Sequence, residues 1–215
     1  MNNPSTDWSQ IFSCRQEMHR RWPEIWDVPL IKNRSRFLGR WLKEGMKVLD
    51  VGAGPGDTRT LVEKLNIRID YKSLDVDRRH EHDFYDIREV DELFDAVLLF
   101  EVIEHLSLEE GIDLFQRLKG ILRPGGIIAL STPNVFNPSR FMRDSTHRTF
   151  YAYDELCGIL SLSGFEIKGL YRSYNDALHR YIAKVYLLGF LFRFLGIDYA
   201  NSIFAVGEAR LQDMA

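Results

Sequence analysis

Hydrophobic and polar positions along the chain follow two alternating periods. Ile11, Phe12, Met18 and Trp22 recur at near-helical spacing, which predicts a helix over 7–22 closed by Pro23. A second helix is expected over 30–43, burying Ile31, Phe37, Leu38 and Trp41. From Met46 onward, short apolar runs alternate with helical segments. MKVLDV (46–51), 69–75, FDAVLLF (94–100), GIIALST (126–132), 165–171 and SIFAVGE (202–208) read as strands, with an irregular segment HDFYDI (82–87) between the second and third of these. FDAVLLF and GIIALST are apolar almost throughout, as strands covered on both faces should be. Helices are expected at 57–65, with Asp57 as N-cap, and at 108–122, 153–163 and 176–195. This alternation predicts an α/β fold, a Rossmann-like and mostly parallel sheet with helices on both faces, binding ligands beyond the carboxyl ends of its strands.

At 215 residues the chain reads as a single domain, 1–215. Within it, 1–44 is expected to form a helical lid or cap, 45–174 a ligand-binding core, and 175–215 a C-terminal helix and final strand. A content of 45% hydrophobic and 27% charged residues excludes disorder. The most apolar stretch, Val185 to Phe192, is far shorter than the roughly 20 residues a spanning helix needs. Two cysteines, Cys14 and Cys157, cannot build a disulfide framework and read as reduced thiols in a cytoplasmic protein. Met1 to Gln10 is polar apart from Trp8 and does not read as a leader. Residues 1–47 carry a net charge of +4 and 48–131 a net charge of −8, which argues against nucleic acid as a partner of the middle section.

The first core strand runs into Leu49-Asp50-Val51-Gly52-Ala53-Gly54-Pro55-Gly56-Asp57. A dinucleotide fingerprint G-x-G-x-x-G would place a third glycine at position 57. Here that position is Asp57, whose carboxylate would repel a pyrophosphate settling on the helix N-terminus. Asp75 ends the second strand and, as an acceptor-only group, suits the hydroxyls of a ribose. Asp86, or its rival Asp83, is placed to accept from an adenine amino group.

VLDVGAGPG, SLDVD, FDAVLLFEVIEHL and LKGILRPGGIIALSTPN together make residues 45–170 resemble the class I S-adenosylmethionine-dependent methyltransferases. The resemblance implies a seven-stranded sheet whose last strand is antiparallel, and S-adenosyl-L-methionine as cofactor. It implies that Asp50, Gly52, Ala53, Gly54 and Gly56 line the methionine part. Asp75 and Val76 would then meet the ribose, and Asp86 with Phe84 or Tyr85 the adenine. Between Asp75 and Asp86 the chain is shorter than in many members.

Methyl transfer from a sulfonium is an in-line displacement that rewards positioning, and a hydroxyl acceptor also needs a base. Glu101, Glu104 and His105 would share one face if they begin a helical turn, with Glu101 also beside the cofactor. The loop from Thr132 to Phe150 supplies His147, so His105, His147 and Glu101 are the candidate catalytic residues, with no metal assigned. The same residues with Glu104 match the E-x-x-E-H and downstream His of the small-RNA 3′-end 2′-O-methyltransferases, which keeps a metal-dependent RNA reaction as an alternative. A cofactor-binding protein without catalysis is a third reading. The stretch Tyr151-Ala-Tyr153-Asp-Glu155-Leu156 resembles small-molecule, quinone and glycan-cluster methyltransferases, so a small-molecule or sugar hydroxyl is the expected acceptor. Tyr181, Val185, Leu188, Phe192 and Leu195 form an apolar stripe that fits core packing, a homodimer or peripheral membrane contact. The opening section holds all four tryptophans, and its helices are expected to cover the cofactor cleft with Trp22 or Trp26 on the substrate side.

Overall fold

A computed structural model describes residues 8–210, so residues 1–7 and 211–215 of the expected end segments lie outside the described residues. Seven strands form one sheet: β1 (Leu30–Ile31), β2 (Lys47–Val51), β3 (Asp70–Leu74), β4 (Phe94–Phe100), β5 (Leu122–Pro133), β6 (Phe165–Ser173) and β7 (Ser202–Ala209). Their order is β1-β6-β7-β5-β4-β2-β3. β7 runs antiparallel to β5 and β6, and the remaining pairs are parallel. The expected mixed sheet with an antiparallel last strand is thus observed, with two local differences. HDFYDI adds only one isolated bridge, Leu74 to Phe84, and builds no strand. Leu30–Ile31, expected inside a helix, instead pairs with Arg172 and Ser173 at the far edge.

The helices are α1 (Trp8–Arg21), α2 (Arg34–Trp41), α3 (Asp57–Glu63), α4 (Leu108–Gly120), α5 (Tyr153–Leu162), α6 (Leu178–Ile182) and α7 (Gly189–Phe194). Because side chains alternate along a strand, β4 serves two cores at once. Val97 and Leu99 face Phe115 and Leu118 of α4 and Leu156 and Leu160 of α5. Ala96, Leu98 and Phe100 face Phe37 and Leu38 of α2 and Val62 of α3.

α1 lies along α5 rather than across the sheet. Arg15 Nε donates to Asp154 at 2.8 Å, and the Tyr153 hydroxyl donates to the Trp22 carbonyl at 2.7 Å. Trp26 Nε1 donates to the Ile197 carbonyl. Among the described residues, the start of α2 is the part of the opening section that lines the larger cavity near Asp57, and there Asn33 caps the helix through the Arg36 amide.

A buried polar knot ties the edge together. Arg172 donates to Asp198 (3.0 Å) and to the carbonyls of Val28 and Trp26. Asp198 also accepts from the Tyr174 hydroxyl and from Asn134 Nδ2. The expected helix over 176–195 is broken into α6, a π-turn at Ala183–Leu187, and α7.

Candidate active site

β2 is the switch point of the sheet, with β3 on one side and β4 on the other, so the glycine loop opens where ligands bind such folds. Gly52, Gly54 and Gly56 all hold positive φ (73°, 51° and 91°). A Cβ on Gly52 would sit 2.3 Å from Val102 Cγ2, so that glycine lets the loop pass under the strand end of β4. At Gly54 and Gly56 a Cβ would meet nothing within 4 Å, which leaves an open cradle. The helix cap is Gly56, not Asp57; Asp57 occupies the first turn of α3 and keeps negative charge at that end.

Asp75 reaches across to the loop. Its Oδ2 accepts from the Gly54 amide at 2.8 Å and its Oδ1 from the Asp77 amide at 2.9 Å, which fixes the carboxylate while leaving acceptor capacity on both oxygens. Val76 beside it is exposed. Asp50 is buried beneath the loop, accepts from the Tyr71 hydroxyl at 2.5 Å, and is pushed up to about 6 by burial. Phe84 exchanges backbone hydrogen bonds with Ser73 and Asp75 and packs on the core. Asp83 binds the Ser73 amide and Lys72, whereas Asp86 caps the turn at Ile87–Glu89 and is gripped by Arg88. The two adenine-side candidates are therefore already engaged by their own neighbours.

Beyond β4 the chain kinks. Glu101 takes φ 55°, uncommon for a residue with a side chain, and its carboxylate accepts from Ser131 Oγ at 2.7 Å. Ile103–His105 then forms a single 3-10 turn ahead of α4, and Glu104 is turned fully inward. Among the described residues neither carboxylate oxygen of Glu104 has a hydrogen-bond partner, and Thr132 faces the group without reaching hydrogen-bond geometry. Burial and the nearby Glu101 charge push its carboxyl up to about 8. The Glu104 carbonyl accepts from the Arg148 and Thr149 amides, which clamps the long loop over the strip.

That loop delivers His147. Its ring lies 4.9 Å from the His105 ring, edge to face, and one ligand atom from each of Glu104, His105 and His147 falls within 4.8 Å of the others. Thr146 Oγ1 donates its single proton to Asp144 (2.6 Å), so the 2.9 Å contact with His105 Nδ1 has the ring nitrogen donating. In the neutral ring this leaves the lone pair on Nε2. A cavity of about 360 Å³ is lined by Glu101, Glu104, His105, His147, Arg140 and Asp144 among others. A second, of about 580 Å³, shares Glu101 and Arg140 and extends past Asp57 to Arg34, Asn175 and Asn201.

A family model described as "Methyltransferase domain" matches residues 18–168. The chain belongs to the class I S-adenosylmethionine-dependent methyltransferases. Its methyl donor is S-adenosylmethionine. The methyltransferase is 28% identical over 169 residues to the mitochondrial ubiquinone biosynthesis O-methyltransferase of Dictyostelium discoideum, covering 62% of this chain and 51% of that one. It is 33% identical over 135 residues to the mitochondrial ubiquinone biosynthesis O-methyltransferase of Mus musculus, covering 53% and 35%. The chain thus spans about half or less of these curated relatives. A solved methyltransferase structure from Archaeoglobus fulgidus shares the fold, with a TM-score of 0.58 at 15% identity over 92% of this chain and 94% of that one.

Several residues that line the methyltransferase's cavities carry no local motif. Arg140 stands at the junction of both cavities, and Arg34 lies with its guanidinium 4.7 Å from the Phe100 ring. Asn175 and Asn201 meet only because β6 and β7 are neighbours, the Asn175 amide donating to Asn201 Oδ1 at 2.9 Å. Among the described residues, no helix is long and apolar enough to cross a membrane.

Proposed function

We propose that this methyltransferase transfers its methyl group to the hydroxyl of a small molecule or sugar, with His105 as base. The observation that carries the reading is the cavity lined by His105, His147 and Glu104, which shares Glu101 and Arg140 with the larger cavity that reaches Asp57 at the end of the glycine loop. When bound, the cofactor supplies an electrophilic methyl on a sulfonium. The open cradle at Gly54 and Gly56, with the fixed Asp75 carboxylate, fits such a group. In this reading Asp50, Gly52, Ala53, Gly54 and Gly56 form the methionine side. Asp75 and Val76 meet the ribose, and Phe84 the adenine, with Asp86 reached only if it leaves Arg88. His105 takes the hydroxyl proton at Nε2, and Thr146 with Asp144 holds the ring. Glu101, fixed by Ser131, sits where donor and acceptor sites adjoin. The likeness to ubiquinone biosynthesis O-methyltransferases supports a small hydroxylated acceptor.

A second reading rests on Glu104. A buried carboxyl without a partner is expected to be protonated or to face a cation. A divalent cation would be held by Glu104, His105 and His147, with Glu101 adjacent, and would supply Lewis-acid activation of the hydroxyl. An RNA 3′ end is the other acceptor this reading admits.

Transfer from labelled S-adenosylmethionine to hydroxylated small molecules tests both readings. His105→Ala is expected to lower kcat about 100-fold or more with S-adenosylhomocysteine affinity retained. Full His105→Ala activity refutes the base. Loss of wild-type activity in excess chelator selects the second reading.

A further inference from the structure

The segment between Asn175 and Asn201 takes no part in the chemistry above, yet both residues line the larger cavity, so the segment hangs from its rim. Its inner side is pinned. Tyr181 meets Tyr174 edge-on at 5.5 Å, Phe192 meets Tyr199 at 4.7 Å, and Arg193 pairs with Glu24 at 2.7 Å. Its outer side is not. Leu188 and Leu195 of the apolar stripe are 44% and 55% exposed, and Tyr186 (70%), Phe190 (76%) and Phe194 (86%) are more so. The break at the π-turn explains the difference, because α6 and α7 no longer share one helical face. So many exposed large apolar side chains on one short segment point to an interaction site.

We propose that this segment docks the enzyme on an anionic lipid surface and sets the mouth of the cleft against it. Charge decides the occupant. From Ala177 to Ile197 the sequence has no acidic residue, while His179, Arg180, Lys184 and Arg193 are basic. Lys184 is paired with Asp176 and Arg193 with Glu24 and Asp27, but Arg180 is exposed and has no carboxylate partner among the described residues. A second copy meeting this surface through the same segment would bring no carboxylate of that segment to Arg180, whereas anionic headgroups complement it and take the apolar tips between them. Apolar side chains on short helices that cannot span fit lying in the interface. The docking concerns where the enzyme works and does not depend on which hydroxyl is methylated.

Flotation of the full chain with vesicles of phosphatidylcholine, alone or with about one-third phosphatidylglycerol, tests this. Binding is expected to the anionic vesicles and to weaken at high ionic strength. Phe190→Ser/Phe194→Ser should lower partitioning about tenfold or more with S-adenosylhomocysteine affinity unchanged, which certifies the fold. As a conservative second probe, Phe194→Trp should add a blue-shifted emission on anionic vesicles. Absence of binding to either vesicle overturns the proposal, as does undiminished binding by the double variant. A dimer that sediments in the wild type and dissociates in the double variant, without vesicle binding, assigns the surface to a second copy instead.

Discussion

Gly52→Ala perturbs the loop in two separable ways. The residue holds φ 73°, a left-handed conformation that costs an ordinary side chain about 1–2 kcal/mol. The added Cβ also lands 2.3 Å from Val102 Cγ2, where carbon atoms rest at about 3.5–4.0 Å, and overpacking of this kind costs about 1–3 kcal/mol. The sum is a loss of about 2–5 kcal/mol, of which only the second part depends on Val102. Urea unfolding of the wild type, Gly52→Ala, Val102→Ala and the double variant separates them. The cycle is expected to return a favourable coupling of about 1–3 kcal/mol, with the backbone part persisting in the double variant. S-adenosylhomocysteine affinity should follow, falling in Gly52→Ala and recovering partly in the double variant. Additivity within about 0.5 kcal/mol would refute the claim that the loop needs glycine to pass Val102.

Three further expectations rest on other parts of the molecule. Burial raises Asp50 to about 6, so the folded state holds its proton more tightly than the unfolded one; the contribution is present below about pH 4 and lost as pH rises through 6, a cost of about 3 kcal/mol at neutral pH. Asp50→Asn should therefore gain on the wild type over that range by up to this amount in pH-dependent unfolding, and an unchanged difference across it counts against the assignment. Asp198→Ala strands the buried Arg172 guanidinium and should cost about 3–5 kcal/mol in denaturant unfolding, more than Arg172→Met/Asp198→Leu, which removes both charges. Glu104→Gln keeps the volume but removes the group that can ionise; under the base reading it leaves turnover within a few-fold, and under the cation reading it abolishes both turnover and metal binding, as read by activity and calorimetry.

The central strands were legible because burial on both faces leaves continuous apolar runs, and FDAVLLF forms β4 with the expected bounds. Leu30–Ile31 was not, since a two-residue edge strand is too short to carry a period and is made by pairing with β6. The glycine loop and Asp75 could be placed from sequence because each ends a strand. The strip of Glu101, Glu104 and His105 was found by spacing, but its form was not. A positive φ at Glu101 leads into a 3-10 turn, and the consequence, a buried Glu104 without a hydrogen-bond partner among the described residues, lies in tertiary packing. Arg34, Arg140, Asn175 and Asn201 come from segments brought together only by the sheet order. The single helix expected over 176–195 is interrupted for a local reason, the π-turn at Ala183–Leu187.

Calorimetry with S-adenosylhomocysteine tests whether the donor is held between the glycine loop and Asp75. The wild type is expected to bind one equivalent. Asp75→Asn, which keeps one acceptor oxygen for the Gly54 amide but loses the charge and the second acceptor, should weaken binding about 10- to 100-fold, the range for hydrogen bonds to a charged group. Unchanged affinity in Asp75→Asn, or no binding by the wild type at millimolar ligand, would contradict the placement of the site.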